Sequence, residues 1–191
     1  LKIGVMGGSF DPIHLGHLRA AEMAREAFGI SRVLFVPVGR PPHRPRPVCS
    51  DLDRFAMVCL AIQGRPYFQA SDVELVRDEP SYTVETILIL SRQYPDAALI
   101  LIVGSDAFVE MRSWKDLDRL VSLCRVAVVH RPDPETESAA LAESSWILPV
   151  PGEGLSISST MVRRLLKEGR GVQHLVPDPV AAHIESRGLY R

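Results

Sequence analysis

Residues 2–17 read KIGVMGGSFDPIHLGH, and the order of residue types in this stretch decides the fold. Lys2–Met6 is a short apolar run that predicts a buried strand, and Gly7-Gly8 ends it in a tight turn. Two glycines after a buried strand let the backbone approach a ligand closely. Asp11 and Pro12 suit a turn leading into a helix, predicted over Leu15–Phe28 and stopped by Gly29. His14 and His17 lie three residues apart at the start of that helix and so share one face. Gly16 between them is expected to leave room for a bulky group. A helix N-terminus presents unpaired N–H groups and the positive end of the helix dipole, both favourable to phosphate. Two imidazoles added there make a compact polyphosphate site. The stretch lacks the GxxxxGK of a P-loop and the GxGxxG of a dinucleotide fingerprint. An HxxH pair at a helix start is by itself a weak metal signal, so no metal ligands are assigned.

Working outward, apolar runs alternate with helical patterns. Strands are predicted at Arg32–Val38, Phe68–Leu75, Ala98–Val103, Val126–His130 and Trp146–Leu148. Helices are predicted from Ser50 or Asp51 to about Gln63, and over Thr83–Tyr94, Asp106–Arg112, Lys115–Leu123, Ser138–Glu143, Ser159–Glu168 and Pro177–Arg187. Gly39–Pro47 holds four prolines and three basic groups and must be a loop. This alternation predicts an α/β fold: a mostly parallel sheet with helices on both faces, in one domain spanning residues 1–191 that includes the helical region 156–191. Ligands of such sheets sit beyond the C-terminal strand ends, near the point where strand order reverses. The loops at Gly7, Val38, Gly104 and His130 should share that edge.

Composition narrows the function. The formal net charge of −1 gives no global pull toward nucleic acid or an anionic membrane, so neither is expected as a partner. The run Ala97–Val103 is far too short to span a bilayer, and Ile3–Met6 is too short for a secretory leader. The three cysteines are widely spaced with no CxxC, which fits a reducing compartment and a cytoplasmic location.

Near the other end, Ile157-Ser158-Ser159-Thr160-Met161-Val162-Arg163 is a second constellation. Ser158 can cap the following helix. Ser159, Thr160 and the adjacent N–H groups can form an anion cradle, and Arg163 one turn on can reach the same anion.

Together GGSFDPIHLGH and ISSTMVR resemble the two signatures of the HxGH nucleotidyltransferase superfamily, in the form found in bacterial nicotinate-nucleotide adenylyltransferases. The resemblance runs from Lys2 to Tyr190. It implies a Rossmann-like nucleotidyltransferase fold and an ATP site built from Gly7, Gly8, Ser9, Phe10, His14, His17, Gly104, Asp106, Ile157, Ser158, Ser159, Thr160 and Arg163. His17, His14 and Arg163 would be the catalytic groups, with His17 stabilising the transition state and Asp106 accepting from a ribose hydroxyl. Pro41-Pro42-His43-Arg44 is similar to the family's PPHK, with Arg in place of Lys. Ser81-Tyr82-Thr83-Val84-Glu85-Thr86 is similar to SYTxDT, with Glu85 where Asp is usual. The resemblance further implies a pyridine-mononucleotide site that includes Ser9, Phe10, Arg44, Ser81, Thr83 and Lys115. To these the Trp114 indole, suited to stack on a pyridine ring, and Arg131, a phosphate candidate at the end of the strand Val126–His130, are added from their chemistry and position. His183 stands where Tyr is usual, which reads as a packing change. The implied reaction takes ATP and nicotinate mononucleotide to deamido-NAD and pyrophosphate, with Mg²⁺ arriving on ATP. The same chemistry on nicotinamide mononucleotide or another phosphate acceptor, and a non-catalytic nucleotide sensor, stay open at this level, as does a homo-oligomer.

Overall fold

Apolar side chains along the central strands point alternately to two layers, as expected where a sheet is covered on both faces. The computed structural model describes residues 1–42, 45–130 and 144–191. Among these residues six strands form one sheet: β1 (Lys2–Gly8), β2 (Arg32–Pro37), β3 (Phe68–Ala70), β4 (Ala98–Gly104), β5 (Arg125–His130) and β6 (Ile147–Glu153). Seven α-helices lie between and after them: α1 (Leu15–Phe28), α2 (Asp51–Ile62), α3 (Thr83–Gln93), α4 (Ser105–Glu110), α5 (Leu117–Leu123), α6 (Ser159–Lys167) and α7 (Asp178–Arg187). The strand order is β3-β2-β1-β4-β5-β6 and every pairing is parallel, one step beyond the mostly parallel sheet expected.

Val33, Phe35, Ile100, Ile102, Ala127 and Val129 face a core shared with α1, α2, α6 and α7. Their sequence neighbours Leu34, Val36, Leu99, Leu101, Val126 and Val128 face a second core with α3 and α5. The helical region 156–191 belongs to the first core through Val162, Leu165, Val180, Ile184 and Tyr190. No described helix is long and apolar enough to cross a membrane. Cys49, Cys59 and Cys124 are all free thiols.

The structure corrects several element boundaries. The strand expected over Phe68–Leu75 stops at Ala70, because Ser71 N–H donates to Phe35 and the chain then turns, Leu75 and Val76 both donating to the Asp72 carbonyl. The helix expected from Lys115 begins at Leu117, since Asp116 takes a left-handed backbone (φ 50°). The helix expected over Asp106–Arg112 is shorter and passes into a 3₁₀ turn at Met111–Ser113. β6 runs well past Leu148 despite Pro149 and Pro151. It is an edge strand with a pairing irregularity opposite Val128–His130, the setting in which prolines are tolerated. The helix expected over Ser138–Glu143 lies outside the described residues.

Strand order reverses between β1 and β4, and the ladders open there. β1 stays paired with β2 as far as Gly8 opposite Pro37, and β4 with β5 as far as Gly104 opposite Val129. The register between β1 and β4 runs only from Lys2–Ala98 to Val5–Leu101. A split at the C-terminal edge therefore separates Met6–Gly8 from Ile102–Gly104, at the place where doubly wound sheets bind ligands.

Candidate active site

The loop leaving β1 carries the N-terminal motif into this split. Gly7 is exposed, and a Cβ there would meet no atom within 4 Å. Phe10 takes a left-handed backbone (φ 46°), uncommon for a side chain of its size, while its ring is wholly buried against Phe35 and edge-on to His17 at 5.0 Å. The Asp11–Pro12 peptide bond is cis. His14 precedes the first turn of α1 with an extended backbone, and its N–H donates to His17 Nδ1 at 3.2 Å. Accepting at Nδ1 leaves the neutral His17 ring its proton on Nε2, the tautomer that can donate to a phosphate oxygen. The two rings stack with centroids 3.7 Å apart; His14 is buried and His17 is half-buried. Gly16 is needed for a reason other than the expected room for a ligand. A Cβ there would fall 3.0 Å from His14 Nδ1 and 3.4 Å from the Ile157 carbonyl, so its absence lets the C-terminal motif close against α1.

That closure is made by direct hydrogen bonds. The Ser159 hydroxyl donates to the Pro12 carbonyl at 2.9 Å, and Arg163 Nη1 donates to the Asp11 carbonyl at 2.8 Å. Leu15 N–H at the head of α1 donates to the Leu175 carbonyl. Ser158 caps α6 as expected, its Oγ accepting from Met161 N–H at 3.1 Å. Arg163 Nη2 also donates to the Thr160 hydroxyl at 3.3 Å, which brings guanidinium and hydroxyl to the first turn of the helix. Ser159 gives its hydroxyl proton to the other motif, so what it can offer an anion is its backbone N–H. The two constellations, about 145 residues apart in the chain, thus form one surface of imidazole, hydroxyl, amide and guanidinium groups.

The neighbouring loop is held by a residue the sequence reading missed. Arg54 on α2 is fully buried; Nη1 donates to the Ser9 carbonyl, and Nη2 donates to the Val38 carbonyl and to Asp51. One guanidinium thereby fixes the loop after β1 against the loop after β2. Its only signal in the sequence was the Asp51-to-Arg54 spacing on one helix face. Beyond Val38, the Ser81 hydroxyl accepts from the N–H groups of Gly39 and Arg40, and Ser81 N–H donates back to the Arg40 carbonyl. Glu74 lies beneath: it is 7% exposed, its Oε1 accepts from the Thr86 hydroxyl at 2.6 Å, and burial pushes its carboxyl above the ordinary range. Gly39 is obligatory here, because a Cβ would fall 2.3 Å from the Glu74 carbonyl oxygen.

Lys115 meets the same segment from the other side. Its Nζ lies 3.4 Å from Glu85 Oε1 and 4.4 Å from the Tyr82 ring centroid. The longer acid at position 85 therefore reaches a lysine. Thr83 opens α3, Trp114 is half-buried against the second core, and Gly104 and the exposed Asp106 begin α4 at the end of β4. Arg44 and Arg131 lie outside the described residues. His183 does more than repack the family's tail: its Nε2 lies 3.2 Å from Asp53 Oδ1, which also accepts from Arg187 Nε, tying α7 to α2. The hydroxyl of Ser50, and then these two partners, hold the Asp53 carboxyl below its ordinary value despite burial. Asp11 and Tyr190 were also missed as a pair, since nothing in a linear reading places the two residues in contact.

With this geometry in place, the sequence model of the cytidylyltransferase-like family matches residues 5–165. A relative from Thermus thermophilus, named "Probable nicotinate-nucleotide adenylyltransferase", is 44% identical over 191 residues and covers both chains completely. One of the same name from Desulfitobacterium hafniense is 41% identical over 200 residues, covering all of this chain and 96% of the relative. The chain belongs to the cytidylyltransferase-like family and, within it, to the nicotinate-nucleotide adenylyltransferases. Its fold is that of the Plasmodium falciparum nicotinic acid mononucleotide adenylyltransferase complexed with NaAD, at 19% identity and a TM-score of 0.80, covering 99% of this chain and 97% of the other.

Proposed function

We propose that the chain is an adenylyltransferase that moves AMP from ATP to nicotinate mononucleotide, giving deamido-NAD and pyrophosphate. The observation that carries this reading is the junction of the two motifs, with Arg163 donating to Asp11 and Ser159 to Pro12. It brings donors from two distant segments to one surface, which suits a single polyphosphate.

The acceptor phosphate is already an anion, so no strong general base is required. One of its oxygens forms a bond to the α-phosphorus of ATP, the bond from that phosphorus to the β-bridging oxygen breaks, and pyrophosphate leaves with the electron pair. Catalysis is then positioning and charge stabilisation. His17 presents Nε2–H to the α-phosphoryl oxygens. His14, the α6 amides, Thr160 and Arg163 hold the leaving phosphates. Gly7, Gly8, Ser9 and Phe10 let the nucleotide lie against the end of β1, and Asp106 accepts from a ribose hydroxyl. The segments around Ser81, Thr83, Trp114 and Lys115 take the pyridine mononucleotide. Among the described residues no three His, Cys, Asp or Glu side chains cluster as a metal site, and Mg²⁺ enters as part of the substrate MgATP.

The test is product analysis by mass spectrometry after incubation with MgATP and each pyridine mononucleotide. Deamido-NAD and pyrophosphate in equal amounts are expected, with nicotinamide mononucleotide turned over far more slowly. Binding of ATP with no pyrophosphate release would make the chain a sensor instead.

A further inference from the structure

Asp11 belongs to the N-terminal motif but is turned away from solvent. It is 3% exposed, and its carboxylate accepts from Val48 N–H at 2.7 Å, Cys49 N–H at 3.1 Å and the Tyr190 hydroxyl at 2.8 Å. Arg163 lies beside it without joining this set. Its Nη1 stands 3.9 Å from Asp11 Oδ2, too far for a hydrogen bond, and donates instead to the backbone carbonyl of the same residue. A carboxylate and a guanidinium this close would ordinarily close into a direct pair, which is a strong charge-assisted contact. Three other donors fix the orientation of the carboxylate, Cys49 and Tyr190 on Oδ1 and Val48 on Oδ2. Two are amides of the turn before α2 and cannot leave without moving that turn. The third is a single hydroxyl, that of Tyr190, whose ring lies in the first core after the left-handed residue Gly188.

We propose that Tyr190 is a positioning residue for ATP: its hydroxyl holds the Asp11 carboxylate away from the Arg163 guanidinium, so that Arg163 stays turned to the phosphates. This rests on the assignment of Arg163 to the phosphates above. Burial keeps the phenol protonated far past neutral pH, so it is a constant donor. Without it, Oδ1 is held by the Cys49 amide alone, and the carboxylate can turn Oδ2, which accepts only from Val48, toward the guanidinium at its side. Arg163 is drawn into a direct pair, and the leaving phosphates lose a donor.

Tyr190→Phe keeps the ring in the core and removes only the hydroxyl. In that variant the KM for ATP and the inhibition constant of pyrophosphate should both rise roughly three- to tenfold, the worth of one hydrogen bond. The KM for nicotinate mononucleotide should stay within about twofold, inside that same range's lower end. A double-mutant cycle with Arg163→Ala decides the mechanism, Arg163→Lys serving in its place should the alanine variant not fold. If Tyr190 acts through Arg163, its removal adds nothing to ATP affinity once Arg163 is gone. Additive losses in the double mutant, equal losses for both substrates, or an unchanged ATP KM in Tyr190→Phe would each overturn the proposal. An Arg163→Ala enzyme with normal ATP KM would instead remove the underlying assignment of Arg163.

Discussion

The two halves of the site are built in different ways. On the side proposed for ATP the functional side chains bond within the two motifs themselves: His17 accepts from the His14 N–H, Arg163 donates to the Thr160 hydroxyl and the Asp11 carbonyl, and Ser159 donates to the Pro12 carbonyl. On the side proposed for the acceptor, order comes from beneath. Glu74 braces Thr86, Ser81 carries the amides of Gly39 and Arg40, and Arg54 locks Val38 to Ser9. Atoms that bind a triphosphate must converge on charge that changes during the reaction, so they gain from being rigid and mutually fixed. A loop that admits one acceptor and rejects its near-isostere needs only a stable backbone path, which buried polar residues can set from below.

The sharpest way to break this contrast is at His17. His17→Ala should lower kcat by about 10²–10³ while leaving the fold intact, because it removes the donor proposed to face the reacting phosphorus. Turnover within tenfold of wild type would take His17 out of the chemistry. Gly39→Ala tests the other half: a Cβ 2.3 Å from the Glu74 carbonyl forces the loop to move. It should cost about 1–3 kcal/mol in denaturant melts and raise the KM for the pyridine mononucleotide well above any change for ATP. Equal shifts for both substrates would mean that the halves are not separately built. Lys115→Ala removes an exposed ion pair and a ring contact, worth up to about 1 kcal/mol, so the acceptor KM should rise roughly two- to fivefold.

The smallest effect is a pH dependence. Burial raises the Glu74 carboxyl, partly offset by hydrogen bonds from Thr86 and Ser81. Over the interval between the ordinary and the raised value the folded chain holds a proton that the unfolded chain has released. Stability contributed by this group is therefore full below the ordinary value and declines as pH rises through the window. Glu74→Gln cannot titrate. In melts from about pH 4 to about pH 8, wild type should lose stability relative to the variant as pH rises. Parallel curves would show that Glu74 does not titrate in this range.

Much of this was legible in the chain because its causes are local. Alternation of apolar runs and helical patterns set the doubly wound sheet, Ser158 capped α6 as its position required, and the His14–His17 spacing placed both rings on one face. What was not legible came from contacts between distant residues. Phe68–Leu75 looked like a continuous strand because its composition is strand-like, and only the turn at Asp72 ends it. Gly16 suggested space for a ligand, whereas its real neighbour is the Ile157 carbonyl. Arg54 carried no signal beyond its spacing from Asp51, and its role depends on two carbonyls brought together by the sheet. Glu85 stands where Asp is usual in the family, and Lys115 lies where the longer side chain can use it.

The bonds that join the two motifs also set an order of events during synthesis. Asp11 finds Tyr190 across 179 positions, and Pro12 finds Ser159 across 147. A ribosome delivers the paired imidazoles well before the groups that complete their surroundings. Contacts of such long separation form late because the intervening chain must be closed first. The nascent protein can bury much of its sheet before Ser159 and Tyr190 exist, so the surface joining the two motifs is assembled only after both have been added.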